Sequence, residues 1–304
     1  MAAGWQPAYL ALGAEELARR AEQLRGAGSP CSWCPRVCGA DRLGGERGDC
    51  GAAAEIMMAS AGLHFGEEAH FVGRGGSGTV FFSCCNLGCV FCQNYDISHL
   101  RHGMPVSTDE LATVLKSQQS QGAENLNLVT PSHYPADILA ALALAAGRGL
   151  RLPVVWNSGG YDAVGTLEYF DGVVDIYMPD FKFASDQLGA RLTQAGDYAT
   201  VAKAALSEMV RQVGPGLTLE RGVARRGLSV RHLVLPGHYD DSRACLDFLH
   251  SLSPEITVNV MMQYRPCYKA HAFPELRQGI DHEEYRRLIG YARSIGLRHV
   301  LAQA

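Results

Sequence analysis

The sequence predicts an α/β fold, a partial (β/α)6 TIM-like barrel, and two observations support this prediction. Short β-rich runs recur after residue 75 between turn signals, and most are almost continuously apolar, as are strands buried on both faces. Helical patterns stand between the runs, and such alternation predicts a parallel sheet with helical crossovers, here an open barrel more than a doubly wound sheet. The strand candidates span residues 78–83, 125–130, 151–156, 173–178, 230–235 and 256–261, with a seventh at 299–303.

The helices between these strands have recognisable start and stop signals. Ser107 or Thr108 can cap one helix, and Pro135 opens another that ends near Gly149. Apolar residues recur with the 3.6-residue period of amphipathic helices over two further segments, 197–214 and 281–296. These helices supply the crossovers that parallel strands need.

Length, composition and charge limit the class of protein. A chain of 304 residues suits one barrel with a small added module, so we predict a helix and cysteine-rich module at 1–75 and the barrel at 76–304. Hydrophobic residues make up 47% of the chain, and the net charge of −4 gives no basic field for nucleic acid. No apolar run approaches a membrane span, and the N-terminus lacks a signal-peptide layout. We therefore expect a cytoplasmic protein with no nucleic acid or membrane partner.

Ten cysteines in a reducing compartment are expected to bind metal more often than to form disulfides. Four of them, Cys31, Cys34, Cys38 and Cys50, have the spacing C-x2-C-x3-C-x11-C in a segment rich in Gly, Arg and Asp that has little to bury. Four thiolates so close suit a closed tetrahedral site, and such a segment usually needs a metal to hold it. The sequence predicts a metal site here and leaves open whether it holds zinc or a second iron–sulfur cluster.

A second group of cysteines, Cys84, Cys85, Cys89 and Cys92, follows the first predicted strand. Counted from Cys84, the spacing is C-x4-C-x2-C, which with a distant fourth cysteine is typical of a closed electron carrier. Counted from Cys85, it is C-x3-C-x2-C, three ligands that leave one iron of a [4Fe–4S] cluster open to a substrate or cofactor. Active sites of barrels lie at the carboxyl ends of their strands, so we predict Cys85, Cys89 and Cys92 as the cluster ligands.

The C-x3-C-x2-C loop, with Phe91 before its last cysteine, resembles that of radical S-adenosylmethionine (SAM) enzymes. More closely, the chain is similar to PflX-like iron–sulfur proteins related to pyruvate formate-lyase activating enzyme. Cys84 departs from that family, which has glycine at this position, and we interpret it as a tolerated small residue and not as a ligand. The stretches that carry the resemblance lie between about residues 31 and 270: CSWCPRVCGADRLGGERGDCGA, GSGTVFFSCCNLGCVFCQNYDISH, NLNLVTPSHY, VVWNSGGYD, DIYMPDFKF, HLVLPGH and MMQYRPCYKA.

The resemblance implies a radical SAM oxidoreductase, similar to an activating enzyme, on a partial barrel of the radical SAM type. In such an enzyme the open iron binds SAM, a low-potential electron enters the cluster, and SAM breaks into methionine and a 5′-deoxyadenosyl radical. The radical abstracts hydrogen from a substrate, here expected to be a protein or peptide such as a glycyl radical enzyme. The resemblance also implies an electron donor such as flavodoxin or ferredoxin. The alternative is an iron–sulfur electron-transfer protein without SAM chemistry, with Cys84, Cys245 or Cys267 as its fourth ligand.

Five polar residues near the ends of predicted strands are candidates for SAM binding: Asn157, Asp180, Lys182, Arg231 and Arg265. Asp180 and Lys182 match the Asp-x-Lys of the activating enzymes, although an ion pair that closes the barrel rim explains them nearly as well. An arginine, Arg231 ahead of the fifth strand or Arg265 after the sixth, suits bidentate binding of the SAM carboxylate, with a solvated rim charge as the alternative. No triad or carboxylate pair is recognisable, which suits a first step that needs no acid–base pair.

Overall fold

The computed structural model describes residues 5–302 and contains ten strands and ten α-helices in that range. The strands are β1 Ile56–His64, β2 Ser77–Phe82, β3 Met104–Val106, β4 Leu126–Val129, β5 Val154–Asn157, β6 Ile176–Tyr177, β7 Thr218–Glu220, β8 Val223–Leu233, β9 Thr257–Met261 and β10 His299–Ala302. The helices are α1 Tyr9–Arg25, α2 Ala69–Val72, α3 Tyr95–Ser98, α4 Thr108–Ser120, α5 Pro135–Gly147, α6 Val164–Leu167, α7 Asp186–Thr193, α8 Tyr198–Val213, α9 Tyr239–Leu252 and α10 His282–Ser294.

Seven strands form one parallel sheet in the order β2-β4-β5-β6-β8-β9-β10. Each of the six connections between successive parallel strands contains a helix: α4, α5, α6, α8, α9 or α10. On the other side of β2 the sheet continues antiparallel through β1 and β3, and β7 pairs antiparallel with β8. Within the described residues β10 does not pair back onto β2, so the sheet stays open. The prediction of a partial (β/α)6 barrel is confirmed, with a seventh strand at its end.

All seven strand candidates are present, but their ends are shifted. β8 begins at Val223 and not at 230, and β6 is reduced to Ile176–Tyr177. The last candidate ends at Ala302, and its final residue, Gln303, lies outside the described residues. The strands β1, β3 and β7 were not predicted because their residues are largely exposed or half-buried, so they lack the continuous apolar run of a central strand.

The helix signals read from the sequence act as predicted. Ser107 accepts a hydrogen bond from the Glu110 N–H, and the Glu110 side chain accepts one from the Ser107 N–H, which is a complete capping box for α4. Pro135 occupies the first turn of α5, and Gly149 takes a left-handed conformation (φ +83°) just beyond the end of that helix. Among the described helices, none combines the length and the hydropathy that a bilayer-spanning segment needs.

The N-terminal region packs directly on the barrel. The Ala8 N–H donates to Asp175 over 2.8 Å, and β1 extends the barrel sheet. Between α1 and β1 the chain forms turns without a helix or a regular strand. The expectation that this segment has little to bury is wrong, because Trp33 and Arg42 are only 2% and 1% exposed. The division of the chain at residue 75 stays a prediction.

Two hydrophobic clusters lie on opposite faces of the sheet. The larger one fills the space between the sheet and its helices. The smaller one lies on the inner face, where Phe71 of α2 packs with Val155, Ile176, Met178 and Ala224. Because α2 belongs to the connection that enters β2 at its amino end, it closes that end of the interior. The interior therefore opens at the carboxyl ends of the strands, where the cysteine loop begins.

Candidate functional site

The loop between β2 and α3 carries the three predicted cluster ligands and is held in place by its backbone. The N–H groups of Gly88 and Val90 donate to the carbonyls of Thr193 and Leu192 at the end of α7, each over 2.9 Å. Such bonds from loop backbone to a helix end satisfy groups that would otherwise be unpaired on both sides. The loop is therefore a defined support for its side chains.

Cys85, Cys89 and Cys92 follow the carboxyl end of β2 on this loop. Burial raises the pKa of the Cys89 thiol to about 12, which Lys182 opposes, and burial also raises the pKa of the Cys85 thiol, with charge on Cys89 and Cys92 adding to that effect. Such thiols bind metal as thiolates only when the metal supplies the positive charge that stabilises them.

Cys84 is adjacent to Cys85 in the chain but has different neighbours. Its backbone is left-handed (φ +73°), and its side chain is 1% exposed. Burial raises the pKa of the Cys84 thiol, and a hydrogen bond from the Tyr134 hydroxyl opposes that rise. The two adjacent cysteines thus lie against different parts of the molecule, and this placement agrees with a ligand set that starts at Cys85.

Lys182 and Asp180, at the end of β6, form an ion pair beside the loop cysteines. Lys182 Nζ donates to Asp180 Oδ2 over 2.5 Å, and the Lys182 N–H donates to the Tyr198 hydroxyl over 2.9 Å. Burial alone would lower the pKa of Lys182, but the Asp180 carboxylate and the Cys89 thiol hold it above its usual range. The cation therefore stays charged next to the thiols. Both interpretations made from the sequence remain open, since a rim ion pair can also face a cofactor.

The inner face of the sheet is polar near the cysteine loop, unlike the apolar layers that fill a closed TIM barrel. Asn157 Nδ2 donates to Asn127 Oδ1 over 3.1 Å, and Asn127 pairs in register with Val155 of the inner cluster. Within the described residues Asn127 Nδ2 and Ser229 Oγ are buried without a hydrogen-bond partner. Unpaired buried polar groups are costly in a packed interior and indicate room for a polar ligand. This surface fits a polar cofactor such as SAM.

The placement of Arg231 differs from the prediction. It lies inside β8 and not ahead of the strand, since β8 starts at Val223. Its guanidinium is hydrogen-bonded to Glu67 and doubly to Glu68 (2.6 and 2.9 Å), and Asn259 also donates to Glu68. Burial would raise the pKa of Glu68, but Arg231 lowers it to about 2. Arg231 thus holds the β1–β2 connection in the barrel interior, and its role in SAM binding stays a prediction that this pairing disfavours.

The last SAM candidate, Arg265, lies at the surface, whereas Ser132 and His133 after β4 are buried side chains that are not among the SAM candidates. Arg265 is exposed after β9 and has no ion pair with an acidic side chain of the described residues. Ser132 donates to Asp162 over 2.6 Å, and His133 Nε2–H donates to the Ser83 carbonyl over 2.8 Å. Burial lowers the pKa of His133 to about 3, so the imidazole is neutral. His133 therefore positions the start of the cysteine loop.

The N-terminal cysteine set (Cys31, Cys34, Cys38 and Cys50) comes together between α1 and β1. A carbon placed as a side chain on Gly48 would lie 3.1 Å from Cys38 Sγ and 3.6 Å from Cys50 Sγ. Burial raises the pKa of Cys34 to about 12, and charge on Cys50 or Cys31 adds to that effect. Metal binding by the set stays a prediction.

Arg42 is a fully buried cation beside the N-terminal cysteine set. Its Nη1 donates to the His133 carbonyl over 2.5 Å, and its Nε and Nη2 donate to the Ala53 carbonyl over 3.2 and 2.7 Å. The guanidinium also lies over the rings of Trp33 and Tyr134, at 4.6 and 5.4 Å from their centroids. All of these partners are uncharged, and among the described residues no acidic side chain forms an ion pair with Arg42.

The two cysteine groups are in direct contact. The Cys85 N–H donates to the Cys50 carbonyl over 3.3 Å. Arg36 Nε donates to the Asn86 carbonyl over 2.9 Å, so the residue after Cys85 is also tied to the N-terminal segment. No group of three or more His, Cys, Asp or Glu side chains within residues 5–302 is arranged to hold a single metal ion.

Several residues at the site were not identified from the sequence. Asn127 and Asn259 interrupt otherwise apolar strands, and that interruption is a signal that was available. Arg42 and the Glu67–Glu68 pair carried no such signal, because they lie in turn-rich segments where charged residues are ordinarily exposed. Their burial depends on contacts with distant parts of the chain.

Comparison with known proteins found a sequence relative and distant structural neighbours. No family model matches the chain. Crystal structures of Streptococcus suis SuiB, bound to its precursor peptide SuiA and to S-adenosylmethionine, have TM-scores of 0.48 and 0.46 at 12% and 13% identity. They match 72% of this chain, which spans less than half of SuiB (46% and 45%). The uncharacterized protein MJ0674 of Methanocaldococcus jannaschii is 32% identical over 275 residues, which cover 88% of this chain and 75% of the relative. The chain belongs to the family of MJ0674.

Proposed function

We propose that this protein is a radical SAM enzyme that uses a [4Fe–4S] cluster held by Cys85, Cys89 and Cys92. The observation that supports the proposal is the position of these three cysteines on the loop that follows β2, at the open carboxyl end of the parallel sheet. Cys85, Cys89 and Cys92 would hold three irons of the cluster, which would leave the fourth available to SAM. When bound, the cluster and SAM supply one-electron cleavage of the sulfonium bond and hydrogen abstraction from a substrate.

Residues of this chain would position the cluster and SAM and shield them from water. Lys182 places a positive charge beside Cys85 and Cys89, which favours their thiolate forms, and Asp180 fixes the ammonium group. Asn127 and Ser229 offer unpaired polar groups on the inner face. Closure of the other end of the interior by α2 limits access of water, which would otherwise quench a reactive intermediate.

The substrate and electron donor are finer parts of the same proposal. By analogy with the activating enzymes, we infer a protein or peptide substrate, such as a glycyl radical enzyme, and a one-electron donor of the flavodoxin or ferredoxin class. The rival function is electron transfer through a closed cluster. It lacks support from Cys84, whose sulfur contacts Tyr134, and from Cys245, which is wholly buried within α9.

The test is SAM cleavage. The protein is purified without oxygen, its cluster is restored, and 5′-deoxyadenosine is measured after addition of SAM and a strong reductant. Wild type and Cys245→Ala should form it, and Cys89→Ala should not. A wild-type protein with an intact cluster, no 5′-deoxyadenosine and no spectral change on adding SAM would overturn the proposal and support the electron carrier.

A further inference from the structure

The surface outside the cysteine loop carries basic side chains that have no acidic partner. Arg47, Arg101 and Lys269 are exposed, and among the described residues none of them forms an ion pair. The first two meet at Gly51: Arg47 Nη1 donates to the Gly51 carbonyl over 2.8 Å, and a side-chain carbon on Gly51 would overlap with Arg101 Nε. Cations that no carboxylate of the chain neutralises provide positive charge for a ligand.

An aromatic stack connects Arg101 to Lys269. The Tyr268 ring stacks on Tyr95 and on His99, with centroid distances of 5.5 and 4.3 Å and interplanar angles of 15° and 21°. Lys269 Nζ lies 5.2 Å from the centroid of the Tyr268 ring. Since His99 stands two residues before Arg101 in the chain, the cations and the rings belong to one continuous surface.

This surface borders the cysteine loop. His99 Nε2–H donates to the Cys89 carbonyl over 3.1 Å, and the Lys269 N–H donates to the Val90 carbonyl over 2.9 Å. These two hydrogen bonds fix the stack to the backbone of the loop. A molecule bound to the surface would therefore lie next to the candidate site.

Exposed apolar side chains lie among the cations. Tyr95, Leu100 and Met104 are 39%, 54% and 69% exposed, and they stand on either side of Arg101 in the chain. A single exposed apolar residue needs no explanation, but a group of them beside unpaired cations indicates an interaction site. Tyr, Met and Arg are also the residue types enriched in protein–protein interfaces. The composition of the surface thus favours a protein partner.

Two of these residues have a backbone conformation that is uncommon outside glycine. Arg101 has φ +62° and Tyr268 has φ +52°. A bulky residue keeps a positive φ only where its surroundings hold it, and such residues concentrate at functional sites. The stack on Tyr95 and His99 supplies that support for Tyr268. A surface that is ordered before binding loses little conformational entropy when a partner docks.

The charge of the surface differs in sign from that of the whole chain. Its three segments, residues 47–51, 95–104 and 265–269, carry four basic and two acidic side chains: Arg47, Arg101, Arg265 and Lys269 against Asp49 and Asp96. The chain as a whole has a net charge of −4. The positive excess is therefore local, and it attracts a partner that carries carboxylates.

We propose that this aromatic–basic surface docks an acidic segment of a partner protein. It consists of Arg47, Tyr95, Leu100, Arg101, Met104 and Lys269. Carboxylates of the partner pair with the cations, and an apolar side chain of the partner covers the exposed apolar residues. Nucleic acid fits this surface less well, because binding a phosphate backbone commonly uses a longer row of cations.

Peptide binding tests the charge of the surface. A fluorescein-labelled peptide of glutamate and leucine is titrated into the full-length, anaerobically purified protein at low and at high ionic strength. Wild type should bind it, and more weakly as salt is added. Arg101→Glu/Lys269→Glu should bind it at least about tenfold more weakly than wild type. The control Arg286→Glu/Arg293→Glu makes the same change of charge at exposed positions of α10 and should bind like wild type.

A second variant tests the apolar part. Leu100→Ser/Met104→Ser should weaken binding of the same peptide about three- to tenfold and leave the binding of labelled polyglutamate unchanged. All of these substitutions are at exposed positions, so the variants should unfold like wild type, and Arg47→Glu replaces a charge variant that does not fold. Equal affinity of wild type and Arg101→Glu/Lys269→Glu overturns the proposal. Tighter binding of single-stranded RNA than of the peptide also overturns it.

Docking at the aromatic–basic surface does not depend on the proposed function. The titration uses neither SAM nor a reductant, so a protein that fails to cleave SAM can still bind the peptide. Conversely, a protein that forms 5′-deoxyadenosine but binds no acidic peptide keeps the proposed function and loses the docking surface.

Discussion

The two cysteine groups each lie beside one buried cation, but the charge of that cation is balanced differently. At the loop, Lys182 is paired with the Asp180 carboxylate. At the N-terminal set, Arg42 donates to the carbonyls of His133 and Ala53 and lies over the Trp33 ring. Burial raises the pKa of the Cys31 thiol nearby, and Arg42 opposes that rise. The lysine therefore has a carboxylate partner, whereas the arginine is held by neutral groups.

The two groups also differ in how the chain holds them. The loop is supported by β2 on one side and by backbone hydrogen bonds to the end of α7 on the other. The N-terminal set lies in turns between α1 and β1, with Trp33 and Arg42 as its buried side chains. A segment with so little regular structure would gain much of its order from the predicted metal. We therefore expect the loop to keep its fold without metal better than the N-terminal set does.

The largest expected effect distinguishes the role of Cys85 from that of its neighbour Cys84. Cys85→Ala should abolish assembly of the loop cluster and reduce 5′-deoxyadenosine formation on the order of 10³-fold or more, because the chemistry is supplied by the bound group. Cys84→Ala should leave that cluster assembled, since Cys84 is outside the proposed ligand set and its sulfur is hydrogen-bonded to Tyr134. The visible absorption and iron content of both variants check this. Loss of the loop cluster in Cys84→Ala with retention in Cys85→Ala would reverse the assignment.

The second effect concerns Arg42, a buried cation whose donors are hydrogen-bonded to backbone carbonyls. Arg42→Gln should lower the free energy of unfolding by about 1–3 kcal/mol, because the buried carbonyls of His133 and Ala53 lose their hydrogen-bond donor. Arg47→Gln is the matched control: Arg47 lies in the same segment but is exposed, so its loss should cost less than about 0.5 kcal/mol. Urea unfolding of both variants measures the difference. Wild-type stability in Arg42→Gln would contradict this role.

The third prediction tests the role of Lys182, the cation that is paired with Asp180. Lys182→Met should reduce the rate of SAM cleavage about 10- to 100-fold while the chain still folds, because the loop thiolates lose a nearby positive charge. Lys182→Arg keeps the charge and should recover part of the rate. The rate of 5′-deoxyadenosine formation per loop cluster is the measurement. An unchanged rate in Lys182→Met would show that the Asp180–Lys182 pair only closes the rim.

The smallest effect concerns His133, which touches both regions through its carbonyl to Arg42 and its imidazole to Ser83. Its folded pKa of about 3 lies below the unfolded value of 6.5, so its contribution to stability is full above pH 6.5 and is lost as the pH falls. In His133→Gln, the drop in unfolding free energy between pH 7.5 and pH 5 should be about 2 kcal/mol smaller than in wild type. Denaturant unfolding at the two pH values measures it, and equal drops would show that the imidazole is protonated in the folded protein.

Part of the site was predictable because it depends on order along the chain. The loop cysteines follow the first parallel strand in the sequence, so any barrel that uses that strand places them at its carboxyl end. Arg231 was misplaced for the opposite reason. The polar stretch "ARRG" near the start of β8 conceals where that strand begins, so Arg231 was predicted to precede it. The partner of Arg231, Glu67, is 164 residues away in the sequence. No local pattern indicates a pair of that separation.

The sequence by itself determined the types of element and the two groups of cysteines. Local signals can be recognised without a structure because they act within a few residues. Examples are the capping box of Ser107 and Glu110, the proline that opens α5 and the apolar runs of the strands. Tertiary structure alone decided which way adjacent side chains face and what neutralises buried charge. The left-handed backbone of Cys84 separates it from Cys85, and the contact of Cys50 with Cys85 joins the two cysteine groups. Those outcomes depend on backbone conformation and on packing between distant segments, which residue spacing does not encode.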